Sequence, residues 1–239
     1  MLEFEGIVIR TTVFRDNDLM VNVISSDKMY SFLARGAMKY QSKNAPSVNM
    51  YVKGRYQLSC GKEGKSLRNG EVIKSYEQIK GNLSSLAVLD FIGEVTNKLI
   101  INEDAKEVYP YLEKSLDLLN AGFDPLSVAI LYLARVLNVI GIGLNVDSCQ
   151  KCGKTSQIVG VSYSDAGFIC ADCFDYYNGP QVNSYKLKVI RYIFKTDLEN
   201  FGKVAFEKDA VVEILKELGE FVLQNTSTKL KSLELITKI

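Results

Sequence analysis

Short runs dense in Val, Ile, Tyr and Phe recur through the first eighty residues: FEGIVIRTTVF, LMVNVISS, MYSFLARGA, SVNMYVKGRYQLSC and GEVIKSYEQI, separated by polar or turn residues. β-Branched and aromatic residues in runs of this length favour extended chain, and five of them predict a small β-barrel. A five-stranded OB-type barrel fits the length, and an SH3-like barrel has nearly the same signature. Beyond residue 80 the period becomes helical, through SSLAVLDFIGEVTNKLII, AKEVYPYLEKSLDLLNAG and DPLSVAILYLARVLNVIGIG. Ser84 or Ser85 can cap the first of these helices, Gly122 ends the second, and Asp124-Pro125 opens the third. The third is apolar on nearly every face except at Arg135, which predicts that it forms the centre of a helical domain. NSYKLKVIRYIFK, AVVEILKELGEFVLQN and TKLKSLELITKI read as further helices, so residues 177–239 are expected to return onto the helices of 81–144. The predicted fold is α+β and multidomain: an N-terminal OB-fold β-barrel over 1–80, then a helical bundle over 81–239 interrupted by a cysteine-bearing insertion at about 146–176.

That insertion carries the strongest chemical signal. Cys149 and Cys152 form one CxxC pair and Cys170 and Cys173 a second, with seventeen residues between the pairs. Two thiolates separated by two residues converge on one cation from a tight turn, and two such turns complete a tetrahedral shell of four sulfurs. The connector TSQIVGVSYSDAGFI alternates apolar and polar residues before a turn at Ser164-Asp165-Ala166-Gly167, as the hairpin of a zinc ribbon requires. The pattern predicts one structural Zn2+ per chain. Redox motifs or a disulfide pair are the competing readings, but a redox CxxC opens a helix after a buried strand, and neither pair has that setting.

Four cysteine ligands leave the metal no open position, so such a site holds the fold together and performs no catalysis. The chain has no histidine, which excludes Ser-His-Asp and Cys-His triads and a zinc site with imidazole ligands. There is no GxxxxGK[ST] loop and no GxGxxG after a strand. A non-enzymatic role is expected. The composition, 239 residues with 47 % hydrophobic and 24 % charged, is that of a globular chain. No apolar run reaches membrane-spanning length, and the start MLEFEGIVIR lacks the layout of a signal peptide, so a reducing cytoplasmic location is expected. The fifth thiol, Cys60, reads as a plain structural residue in a strand.

The net charge of +1 hides a segregation. Residues 1–80 carry thirteen Lys/Arg against eight Asp/Glu, residues 81–148 four against nine, and residues 149–239 twelve against eleven. A cationic first segment followed by an anionic second one suits an anion-binding module beside a partner-facing or structural one. The cations concentrate between Lys28 and Lys62, a window of seven Lys/Arg with no carboxylate. Within it, LARGAMKYQSKNAPS places Arg35, Lys39 and Lys43 four residues apart on a glycine-containing turn, with Tyr40 among them. Cations for phosphates and an aromatic face for bases are what single-stranded nucleic acid requires. Arg10, Lys53 and Arg55, on flanking runs of the same barrel, complete the candidate set; a solvated basic loop is the plainer reading.

Five stretches together resemble the RecO family of recombination mediators: EGIVIRTTVFRDNDLMVNVIS, ARGAMKYQSK, ARVLNVIGIGLNVDSCQKCG, the second CxxC and KSLELI. The resemblance spans nearly the whole chain in order. Leu144 stands where a proline commonly follows the helix, and the basic stretch is less dense than in many relatives. The resemblance implies an OB-fold domain, a helical domain and a zinc module. It also implies binding of single-stranded and double-stranded DNA, annealing of complementary strands, association with the nucleoid, and RecR and the single-stranded-DNA-binding protein SSB as partners. Arg135 lies on the helix similar to the family's region for the acidic SSB tail, and is either the cation that receives that tail or a buried structural residue paired with Asp90, Glu94 or another helical carboxylate. A zinc-ribbon adaptor acting on RNA or in transcription, and a thiol oxidoreductase, are the alternatives from other classes.

Overall fold

The computed structural model describes residues 1–61, 64–176 and 181–238. The chain divides into two compact units: residues 1–82 with 100–121, and residues 83–99 with 122–239.

In the first unit, β1 (Leu2–Arg15), β2 (Asp18–Ile24), β3 (Met29–Ala34), β4 (Lys53–Gly61) and β5 (Gly64–Lys74) form a closed barrel in the order β1-β2-β3-β5-β4. Neighbours are antiparallel except β3 and β5, which meet in parallel at Leu33 and Ser66, and β4 returns to β1 with Gly54 opposite Gly6. This order, with the fifth strand between the third and fourth, is the Greek-key closure of an OB fold. Val8, Val21, Val23, Phe32, Tyr56 and Leu58 fill the interior, and the ring of Phe4 stacks on Tyr30 at 3.7 Å.

The stretch SVNMYV, read from the sequence as the start of a strand, does something else. Residues Pro46–Val48 form a 3-10 turn whose Val48 is buried in the barrel core, and Tyr51 has φ +63°, so the fourth strand begins only at Lys53. The apolar residues that suggested extended chain plug the barrel. Tyr56 Oη donates to the Ser47 carbonyl at 2.8 Å, and Gly54 makes room for that ring, since a Cβ there would lie 2.6 Å from Tyr56 Oη.

A 3-10 turn at Asn102–Asp104 leads into α2 (Ala105–Asn120), which follows α1 (Leu83–Leu99) in the chain but belongs to the other unit. Its Glu113 pairs with Lys53 at 2.6 Å, its Asp117 with Lys74 at 2.6 Å, and its Asn120 accepts from the Gln78 N–H at 3.0 Å. The single helical domain over 81–239 expected from periodicity therefore differs from the observed grouping: α2 goes with the barrel. Its buried stripe of Val108, Leu112, Leu116 and Leu119 announces a buried face and carries no information about what covers it.

The second unit is built around α3 (Pro125–Val139), buried at every position from Leu126 to Ala134. Asp124 caps it by accepting from the Ser127 N–H at 2.8 Å, as expected. α1 begins at Leu83, one residue before the serines read as its cap, and Ser85 is buried inside its first turn. α4 (Ser184–Lys195), α5 (Lys208–Thr226) and the single turn α6 (Leu233–Ile236) return onto α1 and α3. Between α3 and α4 lies a three-stranded sheet, β6 (Asn145–Cys149), β7 (Ile158–Ser162) and β8 (Gly167–Cys170), in the order β6-β8-β7. Buried Lys186 of α4 anchors α5 through Glu213 and Glu217, both at 2.7 Å, and Tyr163 beside the hairpin donates to Glu217 at 2.7 Å. Among the described residues no helix is long and apolar enough to cross a membrane.

Glu94 ties α1 to the segment entering α6. It accepts from the N–H groups of Lys231 at 2.9 Å and Ser232 at 2.7 Å and from the Ser232 hydroxyl, and pairs with Lys98 at 2.6 Å. Burial opposes its ionisation, but these donors prevail and hold the carboxyl down at about 2. Because that lies below the ordinary 4.5, the stabilisation is complete above about pH 4.5 and fades as pH falls toward 2. Glu94→Gln is expected to cost about 1–3 kcal/mol at neutral pH. In thermal melts of both proteins from pH 7 to pH 3.5, the gap in melting temperature should be widest at neutral pH and narrow with acid.

Candidate nucleic-acid interface and metal centre

Cys149 closes β6 and Cys170 closes β8, so the parallel pairing of these strands brings the two CxxC turns together. The first turn is a knuckle: the Gly153 N–H donates to the Cys149 carbonyl at 2.8 Å, the Cys149 N–H donates to the Lys154 carbonyl at 2.8 Å, and Gly153 has φ +76°, which suits glycine. The second turn continues into a 3-10 turn at Ala171–Tyr176. Neither pair opens an α-helix, the setting that a redox CxxC requires.

The four sulfurs lie within 4.8 Å of one another, with Cys152 and Cys170 Sγ 3.6 Å apart. A tetrahedral shell with metal–sulfur bonds of about 2.3 Å has sulfur–sulfur edges of about 3.8 Å, so the cluster has the size to hold one metal ion. Burial resists ionisation of Cys149, yet N–H groups of Cys170, Cys152 and Lys151 hold it down at about 6. The adjoining Cys152 sulfur, together with burial, pushes Cys173 up to about 12. Four thiols this close cannot all ionise unless a cation balances them, which is the chemistry of a closed four-sulfur metal site. Ion pairs flank the turns, Lys151 with Asp165 at 2.7 Å and Lys154 with Asp172 at 2.7 Å.

The candidate DNA-binding residues all lie on the barrel unit but fall into separate settings. Arg35, Lys39, Tyr40 and Lys43 sit on the long connection from β3 to β4, all four exposed, with Tyr40 at 102 %. This connection is pinned at both ends. At its start the Gly36 N–H donates to Asp18 Oδ1 at 2.7 Å and the Met38 N–H to the Asn17 carbonyl at 3.0 Å; further on, Asn44 Oδ1 accepts from the Gly70 N–H at 3.0 Å. Among the described residues Arg10, Lys39 and Lys43 pair with no carboxylate. Arg10 is exposed on β1, directly after a bulge at Ile9.

Lys53 and Arg55 differ. Lys53 is largely buried against Glu113, and Arg55 pairs with Glu5 at 2.8 Å and Glu71 at 3.7 Å. Their charges are compensated by residues far away in sequence, which a local count of cations cannot register. Lys62 lies outside the described residues. Arg35 also lines a groove of about 540 Å³ at the β4–β5 hairpin, together with Ser59, Cys60, Gly61 and Ser66. Cys60 is thus exposed at a groove and not packed in the core. Arg135 is half-buried on α3, on the face it shares with Tyr132 and Asn138.

Comparison with known proteins agrees with this architecture. Residues 1–76 match the family model described as Recombination protein O N terminal, and residues 81–234 the one described as Recombination protein O C terminal. The chain is 24 % identical to the DNA repair protein RecO of Halalkalibacterium halodurans over 237 residues, covering 95 % of this chain and 91 % of that protein. It is 30 % identical to the DNA repair protein RecO of Bacillus mycoides over 207 residues, covering 84 % and 82 %, and 27 % identical to that of Bacillus cytotoxicus over 239 residues, covering 95 % and 93 %. With an OB barrel, a helical unit carrying a four-cysteine cluster, and both family models matched in order across the chain, this protein belongs to the RecO family of DNA repair proteins.

Proposed function

We propose that this protein is a non-catalytic recombination mediator that binds single-stranded DNA, anneals complementary strands, and works with RecR and SSB in the cytoplasm. The observation that supports this reading is the pinned connection between β3 and β4, where Lys39 and Lys43 pair with no carboxylate among the described residues and flank a fully exposed Tyr40. Cations there lower the repulsion between two phosphate backbones, and the aromatic ring can stack on any base. Strands held with their bases accessible meet at high local concentration and pair without a catalytic group. If about four phosphates are neutralised, the slope of log affinity against log salt on single strands should be about −3. Arg35→Glu combined with Lys39→Glu and Lys43→Glu should weaken binding across all sequences alike and leave the circular dichroism spectrum unchanged. Unaltered affinity in a folded triple variant would move the interface elsewhere.

In this reading the metal is a structural zinc. Tetrahedral four-sulfur coordination suits Zn2+, which is held without redox chemistry and left with no open position. The freshly purified chain should contain about one zinc, and Cys149→Ser or Cys170→Ser should release it and lower thermal stability, because the thiolates then lose the charge that balances them. Elemental analysis of each protein, with melts before and after chelation, checks this.

For the recruitment step, Arg135 is proposed to receive the acidic tail of SSB. Arg135→Ala should then abolish binding of a tail peptide and annealing of SSB-coated strands, and leave annealing of bare strands nearly normal. A contact to a carboxylate contributes roughly 1.5–3 kcal/mol, or about ten- to hundredfold in peptide affinity. A purely structural arginine would lower the melting temperature and impair both reactions together, so peptide binding, melting temperature and the two annealing rates decide the question.

A further inference from the structure

The outer end of β1 departs from barrel geometry. Val13 pairs with Leu19 and Arg15 with Asp18, so Phe14 is the additional residue of a β-bulge. A bulge breaks the alternation of sides along a strand and re-aims the extra side chain. From Thr12 to Arg15 every residue is exposed, with Val13 at 60 % and Phe14 at 50 %. The Arg15 guanidinium lies over the Phe14 ring, 5.3 Å from its centroid, which restrains the ring while it faces water. The arm is also tied to the connection that carries Tyr40, because the hydrogen bonds of Met38 and Gly36 end on Asn17 and Asp18 in its turn. Met38 adds a third exposed apolar side chain.

We propose that Phe14, restrained by Arg15 at the tip of the β1–β2 arm, is a stacking platform for an unpaired base, acting beside Tyr40 on the same strand of nucleic acid. The proposal rests on the reading of residues 35–43 as a single-strand surface and adds a contact that reading does not contain. Charge decides between a nucleic acid and a protein as the occupant. Arg10 and Arg15 lie on β1 and Lys39 and Lys43 on the connection tied to its turn, four cations against the two carboxylates Asp16 and Asp18. Flat apolar faces beside cations fit a ligand that presents flat rings on a phosphate chain. In a duplex the base faces are already stacked on one another, so Phe14 has nothing to offer it and, with Tyr40, contributes a preference for unpaired bases.

The chain contains no tryptophan, so Phe14→Trp introduces a single reporter at the site. Its emission should be quenched on titration with an oligothymidine and stay unchanged with a duplex of equal length. Phe14→Ala should weaken oligothymidine binding about ten- to hundredfold, with the salt slope and duplex binding unaltered, whereas Lys39→Glu with Lys43→Glu should weaken both and flatten the slope. Phe14→Tyr keeps the ring and should retain affinity, which separates stacking from a folding defect. If the native chain binds oligothymidine while Phe14→Ala binds it equally well, or while the tryptophan is not quenched, the proposal is overturned and the reading of residues 35–43 stands. If the native chain binds no strand at all, both fall. Retained DNA binding in Phe14→Ala together with loss of a protein partner would reassign the arm to protein docking and overturn the proposal as well.

Discussion

The barrel unit depends on one hydrogen bond made in its interior, from the Tyr56 hydroxyl to the Ser47 carbonyl. Tyr56 is wholly buried, with Phe4 and Phe32 rings each 5.5 Å away, and burial pushes its phenol far up, so the hydroxyl stays protonated and must find an acceptor. A buried hydroxyl left unmatched costs about 1–3 kcal/mol, so the Pro46–Val48 turn is held where the acceptor is needed. Room for both groups comes from Gly54 and Gly70, at each of which a Cβ would collide, with Tyr56 and with Ser47. Val48 plugs the barrel as a consequence, and the connection back to β3 is stretched between this turn and the β1–β2 hairpin. The cations of residues 35–43 are therefore carried on chain that is anchored at both ends, a setting in which Lys39 and Lys43 keep their place without ion pairs among the described residues.

The metal centre meets the opposite problem. The ribbon's own buried cluster consists of Cys149, Ile169 and Cys170, with Ile158 and Cys173 beside it, too little apolar surface to hold three short strands. In the reading proposed above, a cation balancing the four sulfurs would take over the role that hydrophobic burial plays in the barrel. The strands β6 and β7 pack on α4 with Val146 and Val161 buried, and at the surface Asp147 pairs with Lys195 at 2.9 Å and Arg191 at 3.6 Å.

What could be read from the sequence follows from how far each signal reaches along the chain. The four-cysteine cluster, the hairpin turn around Asp165 and the apolar third helix are local patterns, and each appears where its spacing places it. The barrel order required tertiary pairing, but five dense runs already narrowed the choice. The plug at Val48 was misleading because a buried apolar residue looks alike in a strand and in a turn. Lys53 and Arg55 count as cations in any local window, and their carboxylates lie on other strands or on α2. Phe14 was hidden for a related reason: an aromatic residue in a β-rich run reads as core, and only the pairing register reveals the bulge that turns it outward.

The membership of α2 also shapes how the molecule can be divided. The chain enters the second unit at residue 83, goes back to the first at 100 and leaves it again at 122, so the two units are threaded through one another in sequence. No single cut separates them. A fragment ending near residue 80 would keep all five strands yet lose the carboxylates that match Lys53 and Lys74, and the complementary fragment would inherit a helix whose unit is missing. During synthesis the barrel strands emerge first, but their unit is incomplete until α2 follows, after α1 of the other unit has already been made. Folding of the two halves is thereby interlocked in time, and an evolutionary exchange of the barrel between proteins would need three crossovers in place of one.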